Sequence, residues 1–358
     1  MKKKLLKYAF ALTLSVTTLF AAPLQAADKV YRLKLAETWP TNFGVFSHVA
    51  RNMAKLAEEM SNGRLKIRID SANKHKSAMG VFDMVRAGQY DLSHTASYYW
   101  KGKDFRTQFF TTMPFGMTAT EQYGWFYYGG GMELMQKVYE PYGMISVPGG
   151  NTGIQMGGWF RKEINSVEDL KGLKMRIPGF AGEVLAKLGA SPTNIAPGEM
   201  YTSLERGTID ALEWVGPSMD LRLGFHKIAP YYYTGWHEPA TELQFLINKK
   251  KFDSLPKDLQ QILLTAMKAS AYDMTMESHH LSGANWARMK SEYPDVQVKS
   301  FPAEVMAALK QANDELLAEA AAADPLTKEI LDSQSAYLEQ VRQWTNMADR
   351  AYLNSMAE

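Results

Sequence analysis

The chain has 358 residues, of which 46% are hydrophobic, so it can bury a large core, and its length predicts two domains. Its formal net charge is only +2 and its charged residues form no basic stripe, which excludes nucleic acid as a partner. The chain contains no cysteine, which excludes disulfides, thiolate metal sites and cysteine nucleophiles.

The first 26 residues have the three parts of a secretory signal peptide. Residues 2–4 are lysines, residues 8–22 are apolar, and residues 24–26 form a small-residue cleavage signal. We expect cleavage after Ala26, which removes four lysines from a net charge of +2 and leaves a mature chain of −2. The apolar run is short for a membrane span, and a large exported chain without disulfides favours the bacterial periplasm.

The first half of the mature chain alternates strands with helices. Residue periodicity predicts strand, helix, strand, helix and strand over residues 30–36, 46–60, 65–69, 80–87 and 91–96. This order predicts an α/β fold with helices on the faces of a sheet. Ligands bind such sheets beyond the carboxyl ends of the strands, where Trp39 and Tyr99 lie. Tyr99 is therefore predicted as a pocket residue, with packing in the core as the alternative.

A second α/β unit begins near Asn151. Its predicted elements are a β-type run over 154–160, a run over 173–176, helices over 181–188 and 199–206, and strands over 207–217 and 243–247. One helix is then predicted over 256–293. At 1.5 Å per residue it is longer than about 50 Å, so we expect it to bridge two lobes.

The C-terminal region, residues 325–358, is predicted as a helical extension. Its apolar residues recur at a spacing of three and four, with charged residues between them. Such a face requires a partner. The partner is either a second copy of the chain, which makes a homodimer, or the body of the same chain.

The stretch from Asn151 to residue 217 carries the most chemistry. Gln155 has glycine neighbours that let a ligand approach the backbone, Arg176 precedes a proline and a glycine, and Glu213 is a lone acid in an apolar run. A guanidinium, a carboxamide and one carboxylate near strand ends indicate a site for an organic anion, with a cation as a further candidate.

Four segments in this order, residues 151–160, 170–178, 207–217 and 235–239, resemble the DctP-type solute-binding proteins of tripartite ATP-independent periplasmic (TRAP) transporters. The resemblance covers most of the mature chain and is greatest to the branch that binds 2-oxo acids such as pyruvate, and to the related lactate binders. It implies capture of a small organic acid anion and its delivery to TRAP membrane subunits.

The resemblance also implies a fold, a two-lobe periplasmic binding protein. Lobe I comprises residues 27–150 with about 240–275, and lobe II comprises residues 151–239 with about 280–320. The helix over 256–293 bridges the two lobes, and the family's 2-oxo acid branch often pairs through its C-terminal helix.

The site residues follow from the same resemblance. Arg176 matches the arginine that pairs with the ligand carboxylate, for which a planar guanidinium is suited. Gln155, Glu213 and the main-chain carbonyl of Trp214 match positions that hold a metal ion, and Glu238 is a further candidate ligand. Oxygen ligands indicate sodium or calcium. Two coordinating glutamates favour calcium, whereas Glu213 alone makes sodium sufficient.

The remaining predicted ligand contacts are apolar or neutral. Trp214, Tyr99 and Phe180 are expected to shape the apolar end of the pocket, and Asn151 is expected to donate a hydrogen bond to the ligand from the crossing between the lobes. Any of the three aromatic residues is alternatively part of the core.

Two other functions fit the sequence less well. An exported hydrolase or lyase would use His237 beside Glu238 as an acid–base pair, but no Gly-x-Ser-x-Gly or His-Glu-x-x-His motif is present. A ligand-sensing protein would need only binding and closure, as a transport protein does. We therefore expect no enzymatic activity.

Overall fold

The computed structural model describes residues 29–356, and the predicted signal peptide, residues 1–26, lies outside the described residues. The described chain is α/β with two sheets, which confirms the predicted fold class. The strands are β1 (Tyr31–Glu37), β2 (Leu65–Asp70), β3 (Leu92–Thr95), β4 (Met144–Asn151), β5 (Gly158–Phe160), β6 (Lys174–Arg176), β7 (Ser191–Thr193), β8 (Ala211–Leu212), β9 (Tyr231–Tyr233), β10 (Glu242–Asn248) and β11 (Gln297–Lys299).

Each sheet forms the centre of one lobe. The first has the strand order β2-β1-β3-β10-β4, in which β1 is parallel to β2 and β3, and β10 is antiparallel to β3 and β4. The second has the order β11-β9-β5-β8-β6-β7, with β5 antiparallel to β8 and β9. The chain therefore crosses between the sheets after β4, before β10 and again before β11.

Helices cover both sheets. They are α1 (Val45–Met60), α2 (Ala72–His75), α3 (Val81–Arg86), α4 (Ala119–Tyr128), α5 (Gly131–Tyr139), α6 (Gly179–Lys187), α7 (Met200–Glu205), α8 (Pro217–Leu223), α9 (Lys249–Asp253), α10 (Lys257–Glu292), α11 (Ala303–Ala323), α12 (Pro325–Thr345) and α13 (Ala351–Ser355). The helices predicted from periodicity are confirmed to within a few residues. Within residues 29–356, no helix is both long and apolar enough to cross a membrane.

Two predicted strands are much shorter than expected. The run over 154–160 pairs only as β5, because Gly153 has a left-handed φ of 74° and turns the chain away from an extended path. Gln155 therefore lies in the loop before β5 and not in a strand. The run over 207–217 pairs in the sheet only as β8, and its other residues form the connections from α7 and into α8.

Helix α10 contacts both lobes. It has 36 residues and is about 54 Å long at the standard rise. On the first lobe, Asn52 of α1 donates a hydrogen bond to Asp273 at 2.9 Å, and on the second lobe Asn285 donates to the carbonyl of Pro217 at 2.8 Å. The helix therefore bridges the lobes, as its length predicted.

A saturated hydrogen-bond network lies where β4 and β10 pass between the lobes. Oε1 of Glu242 accepts from the main-chain nitrogens of Gly149 and Gly150 at 2.9 and 3.0 Å. Its Oε2 accepts from Nδ2 of Asn151 at 3.2 Å, and this nitrogen also donates to Oε1 of Gln122 at 2.8 Å. We refer to these five residues as the crossing cluster. Burial raises the pKa of Glu242 to about 8 in spite of these donors.

The predicted C-terminal face is divided between two environments. Its first half docks onto the body of the chain, where Ile330 is buried, Gln334 donates to the carbonyl of Phe109 at 2.7 Å, and Arg342 pairs with Glu121 at 2.7 Å. Beyond this point several large apolar side chains are at least 64% exposed: Trp344, Met347, Tyr352, Leu353 and Met356.

Candidate functional site

Four polar side chains meet at one edge of the second sheet. Arg176 ends β6, Glu213 follows β8, and His237 and Glu238 follow β9. Strands β6 and β8 are parallel, and β5 is antiparallel to both β8 and β9, so β6, β8 and β9 all end at the same edge. We refer to these four residues as the polar cluster. Its position agrees with the rule that α/β sheets bind ligands beyond the carboxyl ends of their strands.

Arg176 and Glu213 form a fully buried ion pair. Nη1 of Arg176 donates to the main-chain oxygen of Glu213 at 2.9 Å and also to Oε1 of its carboxylate. Nη2 has no hydrogen-bond partner among residues 29–356. Burial opposes the charge of Arg176, but the Glu213 carboxylate raises the guanidinium pKa above its ordinary value. Two guanidinium nitrogens are thus held by the protein, Nη1 by Glu213 and Nε by the carbonyl of Ile195 at 3.5 Å, and Nη2 is available to an anion.

Glu238 and His237 complete the polar cluster. Nε2 of His237 lies 3.3 Å from Oε2 of Glu213, and Thr241 donates a hydrogen bond to the Glu238 carboxylate. One ligand atom from each of Glu213, His237 and Glu238 lies within 4.8 Å of the others. Burial raises the pKa of each glutamate to about 7, and the charge of Glu213 adds to this effect at Glu238. Two carboxylates beside one guanidinium form a set that a cation would balance.

Gln155 joins this set through its backbone. Its main-chain nitrogen donates to the carbonyl of Glu238 at 2.9 Å, and its side-chain nitrogen donates to Thr152 at 3.0 Å. The side-chain oxygen is buried and has no hydrogen-bond partner among the described residues. An unpaired buried acceptor is unfavourable, so this oxygen is suited to a bound cation or to a donor on a ligand.

Aromatic rings form the apolar side of the site. The ring of Trp214 lies 5.1 Å from Cζ of Arg176. Its centroid is 6.3 Å from that of Trp39, and 5.7 Å from those of Phe43 and Phe46. We refer to these four aromatic residues as the aromatic wall. Because Trp214 belongs to the second lobe and the other three belong to the first, the wall joins the lobes across the site.

Tyr99 also lies at this boundary. Its ring centroid is 6.2 Å from that of Trp39. Burial raises the pKa of the Tyr99 hydroxyl to about 12, and the positive charge of Arg176 works in the opposite direction. The hydroxyl is therefore protonated and lies within the electrostatic reach of the polar cluster.

Two predicted ligand residues make their contacts elsewhere. The ring of Phe180 packs 5.8 Å from that of Phe109, within the second hydrophobic core. Asn151 belongs to the crossing cluster, where Gln122, Glu242 and the main-chain nitrogen of Gly153 use its amide. The structure thus brings Arg176, Gln155, Glu213, Trp214, Glu238 and Tyr99 to one site, and it ties Phe180 and Asn151 to other partners.

Sequence reasoning missed part of this arrangement. His237 was considered only as an acid–base partner for an enzyme, although its position next to Glu238 was a usable signal. Trp39 was placed beyond a strand end but was given no role. Phe43 and Phe46 were not singled out, because aromatic residues at the start of a helix are equally typical of the core.

A model of the family described as bacterial extracellular solute-binding protein, family 7 (DctP), matches residues 35–324. The chain belongs to this family. The DctP-type protein is also 38% identical over 341 residues to a monocarboxylate 2-oxoacid-binding periplasmic protein of Nostoc sp., with 95% of this chain and 93% of that protein covered. Family membership identifies it as a periplasmic solute-binding subunit of a TRAP transporter, whose partners are the membrane subunits.

Two solved structures are similar to the DctP-type protein over nearly its whole length. A TRAP periplasmic solute-binding protein of Colwellia psychrerythraea, solved with bound calcium and pyruvate, is 71% identical, with 91% of this chain and 100% of that chain covered and a TM-score of 0.91. A corresponding protein of Pseudoalteromonas atlantica, solved with bound sodium and pyruvate, is 69% identical, with 91% and 99% covered and a TM-score of 0.91. The two-lobe fold is therefore that of a TRAP solute-binding protein.

Proposed function

We propose that the protein captures pyruvate, or a similarly small 2-oxo or 2-hydroxy monocarboxylate, and delivers it to the TRAP membrane subunits. The observation that carries this proposal is Nη2 of Arg176, a buried guanidinium nitrogen that has no hydrogen-bond partner within residues 29–356. A carboxylate placed there would receive a charge-assisted hydrogen bond in a site without solvent. The bound pyruvate in two relatives of 71% and 69% identity supports the same ligand class.

A cation is proposed as the second recognition element. The side-chain oxygens of Gln155, Glu213 and Glu238, with the carbonyl of Trp214, would hold it, and it would supply positive charge to the ligand oxygens. The structure fits such an ion because two buried carboxylates lie close together and the oxygen of Gln155 has no partner among the described residues.

Charge balance favours calcium when both glutamates are ionised. Glu213 and Glu238 then contribute −2 and Arg176 contributes +1, while burial lowers the pKa of His237 and keeps it neutral. A bound monocarboxylate brings the net charge of the site to −2. A divalent cation cancels this charge, whereas a monovalent cation reduces it to −1. Relatives solved with either ion support a site that accepts both.

Calorimetric titration of ligand-stripped protein with pyruvate and lactate tests this proposal. Each acid is added in sodium alone, in calcium, and in sodium with a chelator. We expect binding of pyruvate that is tightest in calcium, and a Glu238→Gln variant that loses the calcium preference while it still binds in sodium. Absence of pyruvate binding in all three buffers would contradict the proposed ligand.

We further propose that the protein has no enzymatic activity toward the bound acid. The relatives described above are binding proteins, and the imidazole of His237 is enclosed beside Glu213. Incubation with pyruvate followed by proton NMR should return unchanged pyruvate. Turnover of pyruvate that is lost in His237→Gln would favour the hydrolase or lyase alternative. Growth on the acid separates transport from sensing, because loss of growth without the protein would support transport.

We also propose bounds for the two lobes and a cleavage site for the signal peptide. We place lobe I at residues 27–150 with about 240–275, and lobe II at residues 151–239 with about 280–320. We propose that the signal peptide is cleaved after Ala26, for which the intact mass of the exported protein is the test.

We also propose that the protein forms a homodimer through the C-terminal end of residues 325–358. Trp344 and Met347 are 69% and 74% exposed at the end of a helix whose beginning is docked, and a second copy would cover them. Light scattering should give the mass of two chains. It should give the mass of one chain for Trp344→Glu, and a wild-type monomer would contradict the dimer.

A further inference from the structure

We propose that Trp39 limits the length of the acid that the site accepts, and that His94 is the positioning residue that holds the Trp39 ring in place. This inference rests on the proposed function, because it concerns the far end of the same ligand. It assigns roles to two first-lobe residues outside the polar cluster.

The ring of Trp39 contacts two aromatic residues of the site, Tyr99 and Trp214. Its ring centroid lies 6.2 Å from that of Tyr99 and 6.3 Å from that of Trp214, and Trp214 in turn packs on the guanidinium of Arg176. Trp39 is only 1% exposed and also packs 4.6 Å from Phe46. An acid with its carboxylate at Arg176 therefore has an apolar end that meets the aromatic wall, and an added methylene must displace one of these rings.

The hydrogen bonds of His94 show that the Trp39 ring is held rather than merely packed. Nε1 of Trp39 lies 2.8 Å from Nδ1 of His94, and Nε2 of His94 lies 3.0 Å from the carbonyl oxygen of Gly149. An indole nitrogen can only donate and a carbonyl can only accept. His94 is therefore the neutral tautomer that accepts at Nδ1 and donates at Nε2, and both nitrogens are used.

This arrangement connects the aromatic wall to the passage between the lobes. The nitrogen of Gly149 donates to Glu242 of the crossing cluster at 2.9 Å, so Trp39, His94, Gly149 and Glu242 form one continuous buried chain of hydrogen bonds. A ring anchored to the backbone at this passage cannot rotate away without leaving its buried N–H unpaired, which is unfavourable. The aromatic wall is therefore rigid, and a rigid wall makes the affinity for an acid depend on the length of its carbon chain.

The test is a titration series with pyruvate, 2-oxobutyrate, 2-oxovalerate and 2-oxohexanoate in calcium. A pocket that is one methylene too short commonly discriminates by about 10-fold or more. We expect wild-type protein to prefer the short acids. Trp39→Phe, which shortens the ring and removes its N–H, should raise the affinity for 2-oxohexanoate relative to pyruvate by about 10-fold.

Two substitutions of His94 separate positioning from simple packing. The amide oxygen of His94→Asn can occupy the place of Nδ1 and accept from Trp39, so the length preference should survive. The longer His94→Gln carries its amide to the place of Nε2 and leaves Trp39 without an acceptor, so the preference should weaken as it does in Trp39→Phe. Thermal unfolding without ligand identifies any variant that does not fold.

Trp125→Phe is the matched control. Trp125 is also fully buried and donates its N–H to a side chain, that of Ser333 at 3.0 Å, but it lies in the other hydrophobic core. This variant should keep the wild-type length preference. The inference is overturned if Trp39→Phe keeps the preference, or if Trp125→Phe changes it equally. Wild-type protein that binds none of the four acids would overturn both this inference and the proposed function.

Discussion

The polar cluster and the crossing cluster are two buried sites that each contain acidic side chains, and they differ in how many of their polar atoms have hydrogen-bond partners. In the crossing cluster, both oxygens of Glu242 accept hydrogen bonds from the backbone or from Asn151. In the polar cluster and its neighbour Gln155, buried atoms stay without partners among the described residues, including Nη2 of Arg176. A network whose hydrogen bonds are complete maintains a backbone path, whereas one with unused donors and acceptors is prepared for a ligand.

The largest effect should follow from a change to the unused donor. Arg176→Lys keeps a positive charge beside Glu213 but loses the planar guanidinium that serves the protein and the ligand together. We expect the protein to fold and its affinity for pyruvate to fall by about 30-fold or more, which corresponds to the lower end of the range for buried charge pairs. Calorimetry measures the affinity, and an unchanged dissociation constant would refute the assignment of Arg176.

A pair of identical substitutions sharpens the comparison. Glu242→Gln places an amide N–H against the donor of Asn151, so the free energy of unfolding should fall by about 1–3 kcal/mol, with little change in cation preference. Glu238→Gln removes one of two neighbouring negative charges, so stability should be kept while the calcium preference is lost. Urea unfolding and calorimetry measure the two properties. The contrast between the two clusters is refuted if Glu242→Gln and Glu238→Gln both lower stability, or if both lose the calcium preference.

The smallest predicted effect concerns pH. Burial lowers the pKa of His94 to about 4, whereas an unfolded histidine titrates near pH 6.5. Below pH 6.5 the unfolded chain binds the proton and the folded chain does not, so acidification destabilises the fold. From pH 7 to pH 5.5 the loss from His94 should be about 1 kcal/mol. The raised pKa values of the buried glutamates act in the opposite sense, so the quantity to measure is the difference from His94→Asn, whose loss over the same range should be smaller.

Much of the fold was predictable because its elements are long and periodic. The helix predicted over 256–293 is observed as Lys257–Glu292, since its apolar repeat and its proline boundary are local signals. Strands of two or three residues, such as Ala211–Leu212, carry too few residues to show a period and were therefore overestimated. The left-handed Gly153, which turns the chain before β5, likewise has no signal in a periodicity argument.

The site was predictable to a different degree. Arg176, Gln155, Glu213 and Glu238 came from motif resemblance, and periodicity alone would not have joined side chains such as Arg176 and Glu213, which are 37 positions apart in the sequence. The contributions of Trp39 and His94 depend on contacts between strands and across the lobes. Such contacts follow from the strand order, which includes the late return of β10 to the first sheet.

The complete burial of the Arg176–Glu213 pair has a kinetic consequence. A solute held in the closed site has no path to solvent until the lobes separate, so its escape rate cannot exceed the rate of that opening. Tightly and weakly bound solutes therefore share the same maximum release rate. Below this maximum, their release rates differ only in the fraction of openings during which the solute dissociates. A membrane subunit that holds the lobes apart would raise this limit for every solute alike, without any contact to the solute itself.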